Sequence, residues 1–128
     1  MREILFRGKT TRTKMWVFGH YSTNYGTGRP EIREKAECCF TEVIPETVGQ
    51  YTGLLDKDGK KVFEGDIVEA YNLLGESEGI GVVQWSDTFA GWHISKTKGM
   101  YCADIMSYKI IGNVFDTPEL LEVSNDEL

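Results

Sequence analysis

The stretch DKDGKKVFEGDIVEAY, residues 56–71, decides the fold of this chain. Its acidic residues and glycines favour tight turns, because Asp accepts local backbone hydrogen bonds and Gly adopts the left-handed conformation at little cost. From Ile67 onward it is largely apolar, which favours a strand. The sequence therefore predicts a hairpin turn, a bend and a strand in succession. Five residues are assigned to the turn and the bend: Asp56, Asp58, Gly59, Gly65 and Asp66.

A calcium loop is one alternative interpretation of this stretch, since alternating carboxylates before a glycine are typical of EF-hand loops. With Gly59 at the glycine position of such a loop, Leu54 falls at the first ligand position and Gly65 at the last. Neither side chain offers an oxygen, although the last position needs a bidentate Glu. We therefore expect no calcium and no other cofactor.

A pair of catalytic carboxylates, Glu64 and Asp66, is a second alternative. Acid–base catalysis by such a pair needs a cleft that keeps one carboxyl protonated and the other ionised. The glycine between the two residues instead favours a bend in which Asp66 bonds a nearby backbone amide. We therefore favour a structural role and expect a protein that is not an enzyme.

Histidines and cysteines do not form a recognisable metal site or disulfide framework. His20 and His93 lie in separate predicted strands, and no spacing typical of zinc ligands occurs. Cys38 and Cys39 are adjacent while Cys102 is distant, so we expect reduced thiols. A His–Cys nucleophile has no local support in the sequence.

Short predicted strands recur along the whole chain with turns between them, which is typical of a mainly β protein. We expect an N-terminal β segment over 1–45 and a small barrel-like β domain over 46–128. The spacing between GDIV and GVVQW is similar to that in SH3-like barrels, an analogy of fold alone. In TPELLE, Thr117 as a cap and Pro118 at the first helical position predict a short C-terminal helix.

Two other segments carry weaker signals. Residues 31–44 begin with helical propensity and end with strand propensity, and we favour a strand over 38–44. The last residues, 123–128, are expected to fray.

Composition limits the possible functions. The chain has 128 residues and a formal net charge of −6, which weakens a nucleic-acid interpretation because phosphate binding needs clustered cations. No apolar run approaches the roughly 18–20 residues that span a bilayer, and residues 1–8 lack the features of a signal peptide. We expect a cytoplasmic protein with no membrane partner.

The N-terminal segment opposes the net negative charge. Basic residues are concentrated there, with aromatic residues nearby. Such a combination can form a nucleic-acid-binding face. A solvated hairpin is the simpler interpretation. The candidate face comprises Arg2, Arg7, Lys9, Arg12, Lys14 and Trp16.

The chain is also rich in aromatic residues, and Trp85 and Trp92 lie in adjacent predicted strands. Core packing is the usual role of such residues. An exposed cluster would instead indicate a ligand groove or a subunit interface. The sequence leaves both interpretations open.

Four segments resemble the YopX-type proteins of phages and prophages: REILFRGK, TVGQYTGLLDKDGKKVFEGDIV, GVVQW and IIGNVFDTPELL. The resemblance spans nearly the whole chain, and residues 23–44 and 72–79 match least. It implies a small, largely β protein of temperate-phage origin in a bacterial host, and it suggests oligomers with extended mixed sheets. It assigns no catalytic or binding residue to any position of this sequence.

We therefore expect an accessory protein, derived from a phage or prophage, that acts without catalysis through protein–protein contact as a homo-oligomer. Many strands with few helices to cover their edges fit this expectation, because uncovered edges invite pairing. The alternative is a nucleic-acid-binding module that uses the basic N-terminal hairpin.

Overall fold

A computed structural model describes residues 2–34, 39–96, 99–102 and 107–121, with the backbone alone for 96 and 99–102. The described chain is mainly β, as predicted. No helix in these ranges is long and apolar enough to cross a bilayer. The elements are β1 (Phe6–Lys9), β2 (Trp16–Thr23), β3 (Pro30–Glu34), β4 (Thr41–Glu42), a 3-10 helix (Pro45–Thr47), β5 (Gly49–Leu55), β6 (Lys61–Phe63), β7 (Asp66–Tyr71), β8 (Ser77–Ser86), β9 (Gly91–Lys96), β10 (Gly99–Cys102) and β11 (Ser107–Asn113).

The chain divides into two compact units, Met1–Gly53 and Leu54–Leu128. The division falls inside β5, whereas the boundary predicted between residues 45 and 46 precedes that strand. Cys38 and the predicted frayed end lie outside the described residues.

The strands of the first unit form an antiparallel sheet in the order β4-β3-β2-β1-β5, and β5 continues into the second unit and pairs there with β6. One face of this sheet carries the core of the first unit, where Ile32 and Val43 are fully buried. A Cβ at Gly8 of β1 would lie 3.1 Å from the Cβ of Val43, closer than most such contacts. Glycine at this position therefore lets the core close tightly over β1.

The conflict of propensities over residues 31–44 is resolved by packing. β3 includes the first four residues of EIREKAE, where the sequence favoured helix, because Ile32 is buried and pairs with Tyr21 of β2. Within the described residues 39–44 of the strand predicted over 38–44, only the two residues of β4 form a strand. Tertiary burial thus overrides local propensity in this segment.

The second unit contains a five-stranded antiparallel sheet in the order β10-β9-β8-β7-β11. Strand alternation places Val68 and Ala70 of β7 in the core, and Glu69 and Tyr71 on the opposite face. The sheet is open, since β10 and β11 lie at its two edges, so the described strands do not close the expected barrel. The buried core consists of Val62, Val68, Ala70, Val83, Ile94 and Tyr108.

The chain after β11 folds back onto that strand. The hydroxyl of Thr117 accepts a hydrogen bond from the N–H of Asn113 at 3.1 Å and donates one to its carbonyl at 3.2 Å. A Cβ at Gly112 would collide with this hydroxyl, so only glycine leaves the room it needs. Residues 119–121 are helical, as predicted, but the Thr117 side chain bonds β11 instead of capping the helix.

Candidate functional site

Asp56 is buried and ties its own turn to a distant strand. Its Oδ1 accepts hydrogen bonds from the N–H groups of Asp58 and Lys60, each at 2.9 Å. Its Oδ2 accepts one from the N–H of Ile110 on β11 at 3.1 Å. Gly59 completes the turn with a φ of 82°, which glycine adopts without a steric penalty. Both oxygens of the carboxylate are therefore engaged within the fold.

The protonation of Asp56 follows from these contacts. Burial raises the pKa of the carboxyl, but the N–H groups of Lys60, Ile110 and Asp58 outweigh burial and hold the pKa below its ordinary value of 3.8. Donors of this kind stabilise the ionised form. Asp56 is therefore ionised at neutral pH and poorly suited to general acid–base catalysis.

Glu64 and Asp66 have different environments. Asp66 is buried, and its Oδ2 accepts a backbone N–H within the bend at 2.8 Å, whereas Glu64 is only partly buried. Gly65 between them has a φ of 91°. Its N–H donates to the carbonyl of Val83 on β8, and its carbonyl accepts the N–H of Val114. The bend is thereby bonded to two other segments of the second unit.

The two histidines lie in different units, His20 on β2 and His93 on β9. Over 2–34, 39–96 and 107–121, no group of three or more His, Cys, Asp or Glu side chains could hold a metal ion. Strand register places Cys102 of β10 directly opposite His93, a relation that sequence spacing could not establish. Cys39 is exposed and forms no disulfide within the described part of the chain.

The predicted basic face is divided among several locations in the first unit. Arg7 and Lys9 lie on β1 beside Trp16 of β2. The Arg7 guanidinium carbon is 4.5 Å and the Lys9 Nζ is 5.5 Å from the centroid of the Trp16 ring. Arg7 is only 7% exposed, so its role is to pack against that ring. Three further cations are exposed outside β1: Arg2, Arg12 and Lys14.

The structure adds residues to the face that carries Arg7. Register sets Phe18 opposite Arg7 and Arg33 opposite His20, and residues directly opposite each other project to the same side of a sheet. The Arg33 guanidinium carbon lies 5.4 Å from the centroid of the Phe40 ring. Sequence reasoning missed β3 because that segment had helical propensity. The signal that could have revealed this face is the alternation of Trp16, Phe18 and His20 along β2.

The β8–β9 hairpin extends the core of the second unit into an exposed aromatic end, formed by Trp85, Phe89 and Trp92. Val83 and Ile94 are opposite each other and buried, and the next pair on the same face is Trp85 and Trp92. The two indole rings meet edge to face with centroids 5.2 Å apart. Trp85 is 46% exposed, and Phe89 in the connecting loop is 67% exposed.

A polar cluster occupies the opposite face of the second sheet. Glu69 accepts hydrogen bonds from the Ser77 hydroxyl at 2.7 Å and the Tyr71 phenol at 2.9 Å. These bonds lower the pKa of Glu69 from its ordinary 4.5, and the bond to Glu69 raises the pKa of Tyr71 from its ordinary 10.0. Both pKa values move away from neutrality, opposite to the direction that acid–base catalysis requires.

Comparison with known proteins places the chain in a family. The profile described as YopX protein matches residues 5–122. The crystal structure of protein EF1440 from Enterococcus faecalis has a similar fold, with a TM-score of 0.56 and 21% sequence identity, covering 94% of this chain and 99% of that chain. No curated protein matches significantly. Because the profile extends from just before β1 to the C-terminal helical turn, the chain belongs to the YopX family.

Proposed function

We propose that the chain is an accessory protein of phage or prophage origin that acts in the cytoplasm of a bacterial host, without catalysis, through contact between its own copies. The resemblance to phage and prophage proteins supports the origin. The commitment of Asp56 and Asp66 to backbone hydrogen bonds supports a non-enzymatic role. The observation that best supports contact between copies is the exposure of Trp85. Its large ring lies at the end of the core face and is 46% exposed.

Trp85 has the properties of an interface anchor. Tryptophan is enriched among the few residues that dominate the free energy of protein association. The indole Nε1 of Trp85 donates to Oδ1 of Asp87 at 2.9 Å, so the only polar atom of the ring is satisfied and its faces remain apolar. The edge-to-face contact with Trp92, which itself packs on the core, limits the motion of the ring. A partner would therefore lose little conformational entropy on binding it.

The loop beside Trp85 is ordered by its own hydrogen bonds. The hydroxyl of Ser86, a buried residue, accepts the N–H of Phe89 at 3.2 Å. Phe89 is thus presented on a defined loop next to the tryptophan pair. Aromatic residues on ordered backbone are the groups that subunit interfaces concentrate at their centres.

Light scattering coupled to size-exclusion chromatography tests the proposal at tens of micromolar protein. We expect the wild type to have a mass of at least two chains of 14.5 kDa. Trp85→Ala should weaken association by about 30-fold and shift the protein toward the monomer. Leu74→Ala is the matched control, because Leu74 is 82% exposed in the β7–β8 turn of the same unit, and it should assemble as the wild type does.

A wild type that stays monomeric throughout this range would overturn the proposal. So would a Trp85→Ala variant with wild-type assembly, since the contact would then lie elsewhere. Circular dichroism of each variant confirms that any change in mass is not caused by unfolding.

A further inference from the structure

Charge is distributed unevenly between the two units. The first unit contains eight basic and six acidic residues, a net charge of +2, whereas the second contains six basic and fourteen acidic residues, a net charge of −8. The net charge of the whole chain therefore hides a basic N-terminal unit. Charge asymmetry between the halves of a chain accompanies nucleic-acid binding, membrane binding or a charged tail, so the arrangement of side chains on the basic unit must distinguish these cases.

The basic unit presents cations and rings together on one face of its sheet. On β1 and β2, Lys9 is directly opposite Trp16, and Phe18 occupies the next position of the same face. On β2 and β3, His20 is directly opposite Arg33. We call this surface the cation–aromatic face, and it consists of Lys9, Trp16, Phe18, His20, Arg33 and Phe40.

The face is accessible on the side of β2 and β3. Phe18 is 43% exposed, and His20 and Arg33 are exposed as well. Trp16 is half-buried and is fixed by its contacts with Lys9 and with the buried Arg7. Exposed rings that are held in place, with cations between them, are the combination that binds the bases and phosphates of an unpaired strand.

Two acidic residues on the same face of the sheet are already engaged. Glu31 accepts a hydrogen bond from the Asn24 side chain at 3.1 Å. Glu42 pairs with the Arg29 guanidinium at 3.4 Å. These contacts keep the two carboxylates at the β3–β4 edge, so that Lys9 and Arg33 set the local charge where the rings are exposed.

We propose that the cation–aromatic face binds single-stranded nucleic acid, with Phe18 and Trp16 stacking on bases and Lys9 and Arg33 contacting phosphates. A duplex is the poorer ligand because its bases are already stacked on each other and cannot use the rings. The face belongs to the first unit and is a different surface from the aromatic end of the second unit. No residue of the face takes part in the proposed self-association contact, so the proposal predicts that binding does not require that contact.

Fluorescence anisotropy with a labelled oligothymidine of about 16 nucleotides tests this proposal, with a duplex of the same length as the comparison ligand. Titrations at about 50 mM and about 200 mM salt measure the electrostatic part of binding. We expect the wild type to bind the single strand more tightly than the duplex, and to bind it less tightly at the higher salt concentration.

Substitutions at two exposed residues of the face distinguish the contribution of base stacking to binding from that of charge. Phe18→Ala should weaken binding by about tenfold with little change in salt dependence, because it removes one stacking platform. Arg33→Ala should weaken binding and reduce the slope of log affinity against log salt by about 0.7, because one phosphate contact is lost. Lys109→Ala, which removes an exposed cation of the second unit, and Trp85→Ala should bind as the wild type does.

Three results would each overturn the proposal. They are the absence of binding at the lower salt concentration, equal or tighter binding of the duplex, and wild-type affinity in both Phe18→Ala and Arg33→Ala. Loss of binding in Trp85→Ala would also contradict it, because the site would then depend on assembly.

Discussion

Oδ2 of Asp56 accepts a hydrogen bond from the N–H of Ile110, 3.1 Å away in space and 54 residues further along the chain. The same turn donates a second bond to β11, from the N–H of Lys57 to the carbonyl of Tyr108 at 2.8 Å. The acidic turn at Asp56, whose composition is typical of a metal loop, therefore holds the edge strand β11 in place through backbone hydrogen bonds. The three backbone N–H donors explain how a carboxylate is buried in this turn.

Asp56→Ala removes the acceptor of three backbone N–H groups and should lower the free energy of unfolding by about 2–4 kcal/mol. The cost arises because these donors lose a charged partner in a partly buried position. Asp58→Ala is the control, since Asp58 is exposed in the same turn, and we expect a change within about 0.5 kcal/mol. Urea denaturation measures the loss of stability in each variant. Equal losses would contradict the proposed role of the Asp56 carboxylate in holding β11.

The stability that Asp56 provides should depend on pH. Its pKa is lower in the folded chain than the ordinary value of 3.8, so the folded state favours the ionised form. The contribution is complete above the unfolded pKa and is lost as the pH falls through the folded pKa. The difference in unfolding free energy between the wild type and Asp56→Asn should therefore shrink from about pH 7 to about pH 3. A difference that stays constant or grows over this range would argue against an ionised Asp56.

Gly112→Ala should destabilise the chain by about 1–3 kcal/mol, because the new methyl group overlaps the Thr117 side chain. Thr117 cannot turn away cheaply, since its hydroxyl is bonded to both backbone groups of Asn113. Gly91→Ala is the matched control, because its new Cβ would lie 3.8 Å from the carbonyl oxygen of Phe89, an ordinary contact.

A double-mutant cycle separates this overlap from other effects of Gly112→Ala. Thr117→Ala removes the colliding hydroxyl, so the combined variant should be more stable than the sum of the two single changes predicts. Thermal unfolding of the four proteins measures the coupling, and strictly additive effects would contradict the proposed overlap.

Ala90→Gly should raise the free energy of unfolding by about 0.5–1 kcal/mol, because Ala90 has a φ of 51°, where a side chain is unfavourable and glycine is not. Gly59→Ala is the opposite change at a φ of 82° and should lower stability by a similar amount. Urea denaturation of both variants tests these two opposite effects on stability. A shift of both unfolding midpoints in the same direction would contradict the account of the backbone conformations.

Local chemistry made much of this fold predictable, and long-range pairing accounts for most of what was missed. The turn at Asp56 and Gly59 and the strand from Ile67 follow from neighbours in the sequence. The bond from Asp56 to Ile110 does not, because nothing local indicates which strand will lie beside the turn. The contact of Arg33 with Phe40 was missed for the same reason, because Arg33 lies on β3, where the burial of Ile32 outweighs the helical propensity of the segment.

The aromatic residues show a second limit. Sequence placed Trp85 and Trp92 in adjacent strands but could not decide between core and surface. The register decides it, because the pair lies one step beyond the buried Val83 and Ile94 along the same face. Burial therefore depends on where the core ends, which is a property of the packed sheet and not of the strand itself.

Fluorine NMR of the protein labelled with 5-fluorotryptophan tests the central claim, self-association through Trp85, most directly. The three tryptophans give three resonances, which single Trp→Phe variants assign. On dilution from hundreds of micromolar to a few micromolar, we predict that the Trp85 resonance shifts or changes width while the Trp16 resonance does not. An unchanged Trp85 resonance in a protein whose mass falls on dilution, or a monomer at every concentration, would contradict the claim.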